Sequence, residues 1–345
     1  SFPTRRSSDL TFRWDSEANL KAHVHCVIVG FSVAQNEAQK ALYQNEQKQI
    51  VKHINAYLVD AEDIFIVSRN RPICAIPLMI YGNKPVDGGY LIIENNDLDE
   101  FVRKEPDAKQ YIKRLIGAKE FINGDLRWCL WLKGVSPSVI KAMPLVMERV
   151  RKVKEIREHS TDEGARKLAL TPTTFRETNN PDVAIVIPCH SSENRRYIPI
   201  GYIDNSYIVT NAVQIIPNAK IYHFGVLTSN VHMSWMRTVC GRLEMRYRYS
   251  KDIVYNNFPW PDPTPEQKSK IEQTAQAILD ARALYPDASL ADLYDPLTMP
   301  PELRKAHQAN DRAVMQAYGM PIKETDEAAC VAWLMRLYQE KTGAS

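Results

Sequence analysis

Cys189-His-Ser-Ser-Glu-Asn-Arg-Arg-Tyr-Ile-Pro-Ile-Gly201 opens the stretch around which this chain reads. It continues through Tyr222-His-Phe-Gly-Val-Leu-Thr-Ser-Asn-Val-His-Met-Ser-Trp-Met-Arg237 and closes on Arg246-Tyr-Arg-Tyr-Ser-Lys251 and Asn257-Phe-Pro-Trp-Pro261. Between His190 and Lys251 there are eight Lys/Arg and three Asp/Glu, with Tyr, Trp, His, Asn and Ser interleaved among short apolar runs. Such a mixture suits a nucleic-acid surface, because cations meet phosphates while Arg, Asn, Glu and Ser can read base edges. The same composition also fits solvated sheet faces.

Within the stretch, residues 183–187, 198–203, 214–216 and 221–227 read as strands. Ser229 reads as the N-cap of a helix running to about residue 240, with Met233, Met236 and Val239 available for packing. Base-reading side chains usually sit on loops between such elements, where a rigid scaffold aims them. Three clusters are candidates. The first is Ser191, Ser192, Glu193, Arg195 and Arg196, in which Glu193 and an arginine can equally pair with each other. The second is Asn230, His232, Trp235 and Arg237 at a helix start, where amide dipoles favour a phosphate, although Trp235 also suits a core. The third is Arg242, Glu244 and Arg246, with Lys251 beyond. On an extended segment Glu244 and Arg246 would share a face. Arg can bridge guanine and Glu can accept from cytosine, so the pair can read one G·C pair.

Ser191-Ser-Glu-Asn-Arg-Arg-Tyr-Ile-Pro199, Tyr222-His-Phe-Gly225, Ser229-Asn-Val-His-Met-Ser-Trp235, Tyr249-Ser-Lys251 and Asn256-Asn-Phe-Pro-Trp-Pro261 resemble the target-recognition domain of MmeI-like DNA methyltransferases. These are fused restriction-modification enzymes that methylate adenine in a short DNA site. The resemblance runs from Trp14 to Tyr338 and corresponds to the C-terminal portion of such enzymes. It implies double-stranded DNA as partner, with charged residues around 244–246 helping to set sequence choice. It also implies an upstream methyltransferase domain that binds S-adenosylmethionine, with any nuclease at the far N-terminus.

Upstream of the stretch, residues 144–159 carry Leu145, Met147, Val150, Val153 and Ile156 at helical spacing, with Arg149, Arg151, Lys152, Lys154 and Arg157 on other faces. This helix can lie along a phosphate backbone, or be a solvated face with local ion pairs. Residues 56–134 read as a β-rich region, with strands at 64–67, 73–76, 90–93 and 128–132 and a helix over 106–116. Asp87 with Asp107 and Lys109 has the flavour of a metal-dependent nuclease set, but the spacing arises readily by chance. Residues 24–29 read as a buried strand, and the resemblance makes it one of the last strands of a doubly wound methyltransferase sheet. His23 and His25 would share a strand face, without a nearby third metal ligand. Residues 36–51 read as a polar, helical-looking linker. The first ten residues look like a translated sequencing adapter and are set aside.

Downstream, Thr264-Pro-Glu-Gln267 has the form of a capping box opening a helix to about residue 285. Pro301 starts a second helix ending near Gly319, and Asp326 caps a third. This segment holds more acidic than basic residues, which argues for packing on the rest of the enzyme rather than broad DNA contact.

The expected architecture is therefore α+β. A mixed, β-rich recognition domain at 56–261, interrupted by a long helix, is followed by a helical domain at 262–345 and preceded at 11–55 by a methyltransferase remnant and linker. With 345 residues, 44% of them hydrophobic, a sizeable core is available, and a net charge of +3 confines any DNA binding to local patches. The six cysteines, Cys26, Cys74, Cys129, Cys189, Cys240 and Cys330, are scattered without a Cys-x-x-Cys pair, which suits reduced thiols in the cytoplasm. No apolar run approaches a membrane span. An adenine methyltransferase needs a glycine-containing turn for its cofactor and an Asn/Asp-Pro-Pro-Tyr/Phe loop for the flipped base. The nearest strings here, Phe258-Pro-Trp-Pro-Asp262 and Met299-Pro-Pro-Glu302, lack the required residues. The reading is thus a specificity half, inactive alone, of a methyltransferase; a non-enzymatic DNA-binding or interaction module is the alternative.

Overall fold

The computed structural model describes residues 7–15, 23–31, 39–44, 47–58, 60 and 63–343. The chain is α+β. At the N-terminal end, β1 (Ser7–Asp15), β2 (His23–Val29), β3 (Lys40–Gln44) and β4 (Gln47–Val51) form a sheet in the order β2-β1-β3-β4. Residues 7–10 enter the first strand, and the side chains of His23 and His25 lie outside the described residues. Residues 40–51 are an antiparallel pair rather than a helical linker. Ala41, Leu42 and Val51 are buried, and the β-branched Ile50 and Val51 fit a pleat better than a helix.

The next elements are β5 (Ile80–Tyr81), β6 (Ile92–Glu94), α1 (Leu98–Lys104), β7 (Ile112–Ile116), α2 (Ala118–Asn123) and β8 (Arg127–Leu130). Helices α3 (Pro137–Lys141), α4 (Pro144–Glu158) and α5 (Glu163–Lys167) follow. The helix expected over 106–116 is a 3-10 turn, Pro106–Tyr111, that gives way to β7. Ile112 begins a strand that pairs on both sides, with β8 and with β12 (Tyr207–Val209), and two ladders outweigh local helix propensity. No strand forms at 64–67 or 73–76. This segment is a strap tied to residues 252–257: the Arg69 amide donates to the Asp252 carbonyl (2.9 Å) and the Ile73 amide to that of Asn256 (2.8 Å). The Asn256 and Asn257 side-chain amides donate back to the Arg69 (2.6 Å) and Val67 (2.9 Å) carbonyls.

The recognition stretch contributes β9 (Val183–Pro188), β10 (His190–Ser191), β11 (Gly201–Asp204) and β13 (Val213–Pro217), then α6 (Ile221–Leu227) and α7 (Asn230–Val239). The hairpin β14 (Gly241–Leu243) and β15 (Arg246–Arg248) closes it. The central strands β9 and β13 of the sheet β11-β9-β13-β5 are rich in buried Ile and Val, and β12-β7-β8-β6 lies over α4. Residues 221–227 are helical, where a strand was expected from an apolar run without period. The His223 ring accepts from the Lys220 amide (3.0 Å) to start the helix, and Tyr222, Phe224, Val226 and Leu227 are all buried.

The C-terminal helices are α8 (Pro265–Ala283), α9 (Leu290–Leu293), α10 (Pro301–Ala317) and α11 (Glu327–Thr342). Both halves of the Thr264/Gln267 capping box are present, and Asp326 caps α11 as expected. They share one core with the recognition stretch, in which Trp235, Tyr249, Phe258 and Trp260 pack with Ile271, Val314, Leu334 and Tyr338. Among the described residues no helix is long and apolar enough to cross a membrane.

Candidate nucleic-acid interface

A three-stranded sheet in the order β10-β15-β14 presents the charged residues. Along β15 the side chains alternate: Arg246 and Arg248 are exposed while Tyr247 between them is buried. Tyr247 lies beside Ser191 on β10 and Arg242 on β14, and the Arg242 guanidinium sits 4.1 Å from the Tyr247 ring centre. The opposite face carries Arg246, Arg248, and His190 in register with Arg248. Burial, Arg248 and Arg246 together hold the His190 pKa below its ordinary value. The ring is thereby kept neutral, able to donate or accept a hydrogen bond.

Glu244 is not on an extended segment. It occupies the hairpin turn with φ of +56°, a left-handed conformation uncommon for residues other than glycine. The turn brings its carboxylate back onto Arg246, Nη2 to Oε2 at 2.8 Å, with the two side chains 50% and 73% exposed. An ion pair this exposed contributes little to stability, so both groups remain accessible to an external partner.

Behind the hairpin is a cleft of about 650 Å³, lined by Tyr81, Lys84, Glu177, His190, Asn211 and Arg248 among others. Lys251 reaches it only indirectly: its ammonium pairs with Asp252 and lies 5.7 Å from the Tyr81 ring centre.

The loop after β10 is more divided than the sequence suggests. Ser191 is buried, which removes its side chain from any surface contact and corrects that expectation. Ser192 turns the chain by accepting from the Asn194 amide (3.2 Å), Glu193 is half-buried, and Arg196 is exposed. Burial lowers the Arg195 pKa, with Asp295 opposing. The alternative in which Glu193 pairs with an arginine finds no such ion pair among the described residues.

At the start of α7 two assignments change. His232 is fully buried, its Nε2 3.0 Å from the Tyr249 hydroxyl and its ring edge-on to Phe258, and desolvation lowers its pKa to about 3. It is a core histidine. Trp235 is likewise interior, donating to the Val254 carbonyl at 3.0 Å. Arg237 is committed within the protein: Nε to Glu327 Oε1 at 2.6 Å, Nη1 to the Arg196 carbonyl at 3.1 Å, and Nη2 to Asn230 Oδ1 at 3.0 Å. The amide of Asn230 is taken by Asp311 at 2.7 Å. The helix start therefore does not offer its first amide to a phosphate.

On α4 most cations are occupied. Lys152 pairs with Glu148 and Lys154 with Glu158, Arg149 donates to the carbonyls of Tyr90 and Ile92, and Arg157 is interior. The reading as a solvated face with local pairs describes this helix. Asp87 is a turn residue, its oxygens accepting from the amides of Gly89 (3.1 Å) and Leu91 (2.8 Å). Sequence reasoning missed His190, Asn211 and Arg248; the alternation Arg246-Tyr-Arg248 was the signal that could have found Arg248.

Exposed arginines thus stand on a short hairpin that is backed by a packed core. The family described as MmeI, target recognition domain, matches residues 60–262, and MmeI, C-terminal domain, matches residues 263–344. The chain belongs to this MmeI family. It is 42% identical over 333 residues to DNA methyltransferase A of Bacillus subtilis (strain 168), covering 96% of this chain and 38% of that protein. It also superposes on the type IIL restriction-modification enzyme MmeI, solved in complex with DNA, with a TM-score of 0.89 and 45% identity over 98% of this chain and 46% of that one. The chain thus spans less than half the length of these relatives.

Proposed function

We propose that this chain is the sequence-reading part of a site-specific DNA adenine-N6 methyltransferase of a restriction-modification system. It binds double-stranded DNA and presents it for S-adenosylmethionine-dependent methyl transfer. The observation that carries this reading is the β14-β15 hairpin, whose tip holds Glu244 against Arg246 and whose exposed face adds Arg248 beside His190. Side chains two apart on a strand stand about 6.6 Å apart, close to two base-pair steps of about 3.4 Å. Arg246 and Arg248 therefore suit bases two positions apart in the major groove. Lys84 lines the cleft beside Arg248 and His190 and suits a phosphate, while Arg242 and Arg196 lie on the Tyr247 side of the hairpin.

Methyl transfer belongs, in this reading, to the part of the relatives that this chain does not span. The proline-containing string 258–262 does not suit an adenine-gripping loop: Phe258 and Trp260 are buried, and the Pro259 carbonyl is taken by Tyr318. The chain alone is accordingly inactive as a methyltransferase.

The test is DNA binding by the whole chain across a salt series, for wild type and the Glu244→Ala/Arg246→Ala double variant. Affinity should fall steeply with salt, and the double variant should lose preference at one base pair, by on the order of 1–3 kcal/mol. Salt-insensitive or absent binding by the folded chain would sink the assignment.

A further inference from the structure

The recognition loop 192–196 is gripped at its C-terminal end by the helical domain. Arg196 gives its carbonyl to Arg237, and Arg237 is held by Glu327 in the first turn of α11. The next residue, Tyr197, donates its hydroxyl to Asp311 Oδ2 at 2.7 Å and stacks on His307, ring centres 4.1 Å apart, both from α10. Asp311 uses its other oxygen on the Asn230 amide, and Asn230 closes the circuit by accepting from Arg237. Arg237 is thus the one side chain in this circuit that touches the loop backbone, α7 and α11 at once. Its planar fork fixes three acceptors in one geometry, which a point-charge ammonium cannot do.

We infer that Arg237 and Glu327 are positioning residues through which the C-terminal helices set the orientation of loop 192–196, and hence its choice of bases. The inference rests on the recognition reading above. Glu327 is half-exposed, and α11 is held besides by the buried Cys330, Val331, Leu334, Met335 and Tyr338 and by the Lys341–Asp262 pair, so its removal leaves the packing of α11 in place. The guanidinium then keeps the Arg196 carbonyl and Asn230 Oδ1 as acceptors but loses the carboxylate that fixes its plane, so the anchor of the loop is free to turn about the α7 side.

The experiment is selection from a randomised duplex library with the whole chain, followed by affinities for the enriched duplex and a scrambled one, alongside thermal unfolding. Wild type should enrich a sequence. Glu327→Ala should lower the ratio of the two affinities about tenfold, within the range of a lost base contact. The loss should fall at base pairs other than those relaxed by Glu244→Ala/Arg246→Ala, with scrambled-duplex affinity and melting temperature unchanged. Glu327→Gln, which still accepts from Nε, should restore most of the ratio, and Arg237→Lys should not. A wild type that enriches nothing overturns the recognition reading and this role with it. An enriching wild type whose preference survives both Glu327→Ala and Arg237→Lys overturns the positioning role alone. Loss of preference that tracks a lowered melting temperature makes the pair a packing contact and overturns it too.

Discussion

Gly225 on α6 faces Ala275 on α8 so closely that a β-carbon built on the glycine would lie 2.9 Å from that of the alanine. It would also lie 2.7 Å from Cγ2 of Ile271. The approach is what allows Asn310 to donate to the Gly225 carbonyl at 2.7 Å and so tie α10 to the recognition stretch. Gly225→Val should therefore force the two helices apart and cost about 1–3 kcal/mol of stability by overpacking. Urea denaturation measures this, and a cost within error of zero would refute the tight approach.

Arg157 is a buried cation whose partners are carbonyls. It donates to Pro85, Val86, Leu168, Thr171 and Thr174 at 2.7 to 3.0 Å, lashing two loops to the end of α4. Arg157→Met should strand several buried acceptors at once and cost about 3 kcal/mol or more. Lysine, with three donors, should rescue only part. A loss below about 1 kcal/mol for the methionine variant would mean that water replaces the guanidinium.

The His232 imidazole has a folded pKa near 3, below the unfolded value of about 6.5, because burial opposes its charge. The unfolded chain therefore takes up the proton first. Stability from this group is complete above about pH 6.5 and drains as pH falls toward 3, at up to about 1.4 kcal/mol per pH unit. His307, also fully buried and lowered, acts in the same direction. Urea midpoints from neutral to mildly acidic pH should fall less steeply for His232→Gln than for wild type; parallel curves would count against a neutral buried ring.

Arg248→Ala should relax base preference about two base pairs away from the position relaxed by Glu244→Ala/Arg246→Ala, because a two-residue strand step spans about that distance. The check is library selection with each variant. A uniform loss of affinity at every sequence, with the salt slope lowered by about one, would instead put Arg248 on a phosphate.

What the sequence disclosed followed local chemistry. Thr264 with Gln267, Pro301 and Asp326 announce helices by the side-chain bonds that start them, and those bonds are present or the helix begins where stated. Residues 221–227 carry no period, and an apolar run buried on all sides reads alike as strand or helix. The strap at 64–76 looked like strands because of its short apolar runs, but its partners are asparagine side chains and carbonyls near 252–257. In the candidate interface, Arg242, Glu244 and Arg246 are exposed because a hairpin tip has nowhere to bury them. His232 and Arg237 could not be placed from α7 alone: what covers them is Phe258, Tyr249 and Glu327, residues 17 to 90 positions away.

The core that runs through Trp235, Phe258, Val314 and Tyr338 ignores the point where one family description ends and the next begins. A protease cut in the exposed connection near Asp262 would therefore yield two peptides that stay together as one folded body. Made separately, each piece would lack the other's half of that core, and mixing them should restore it.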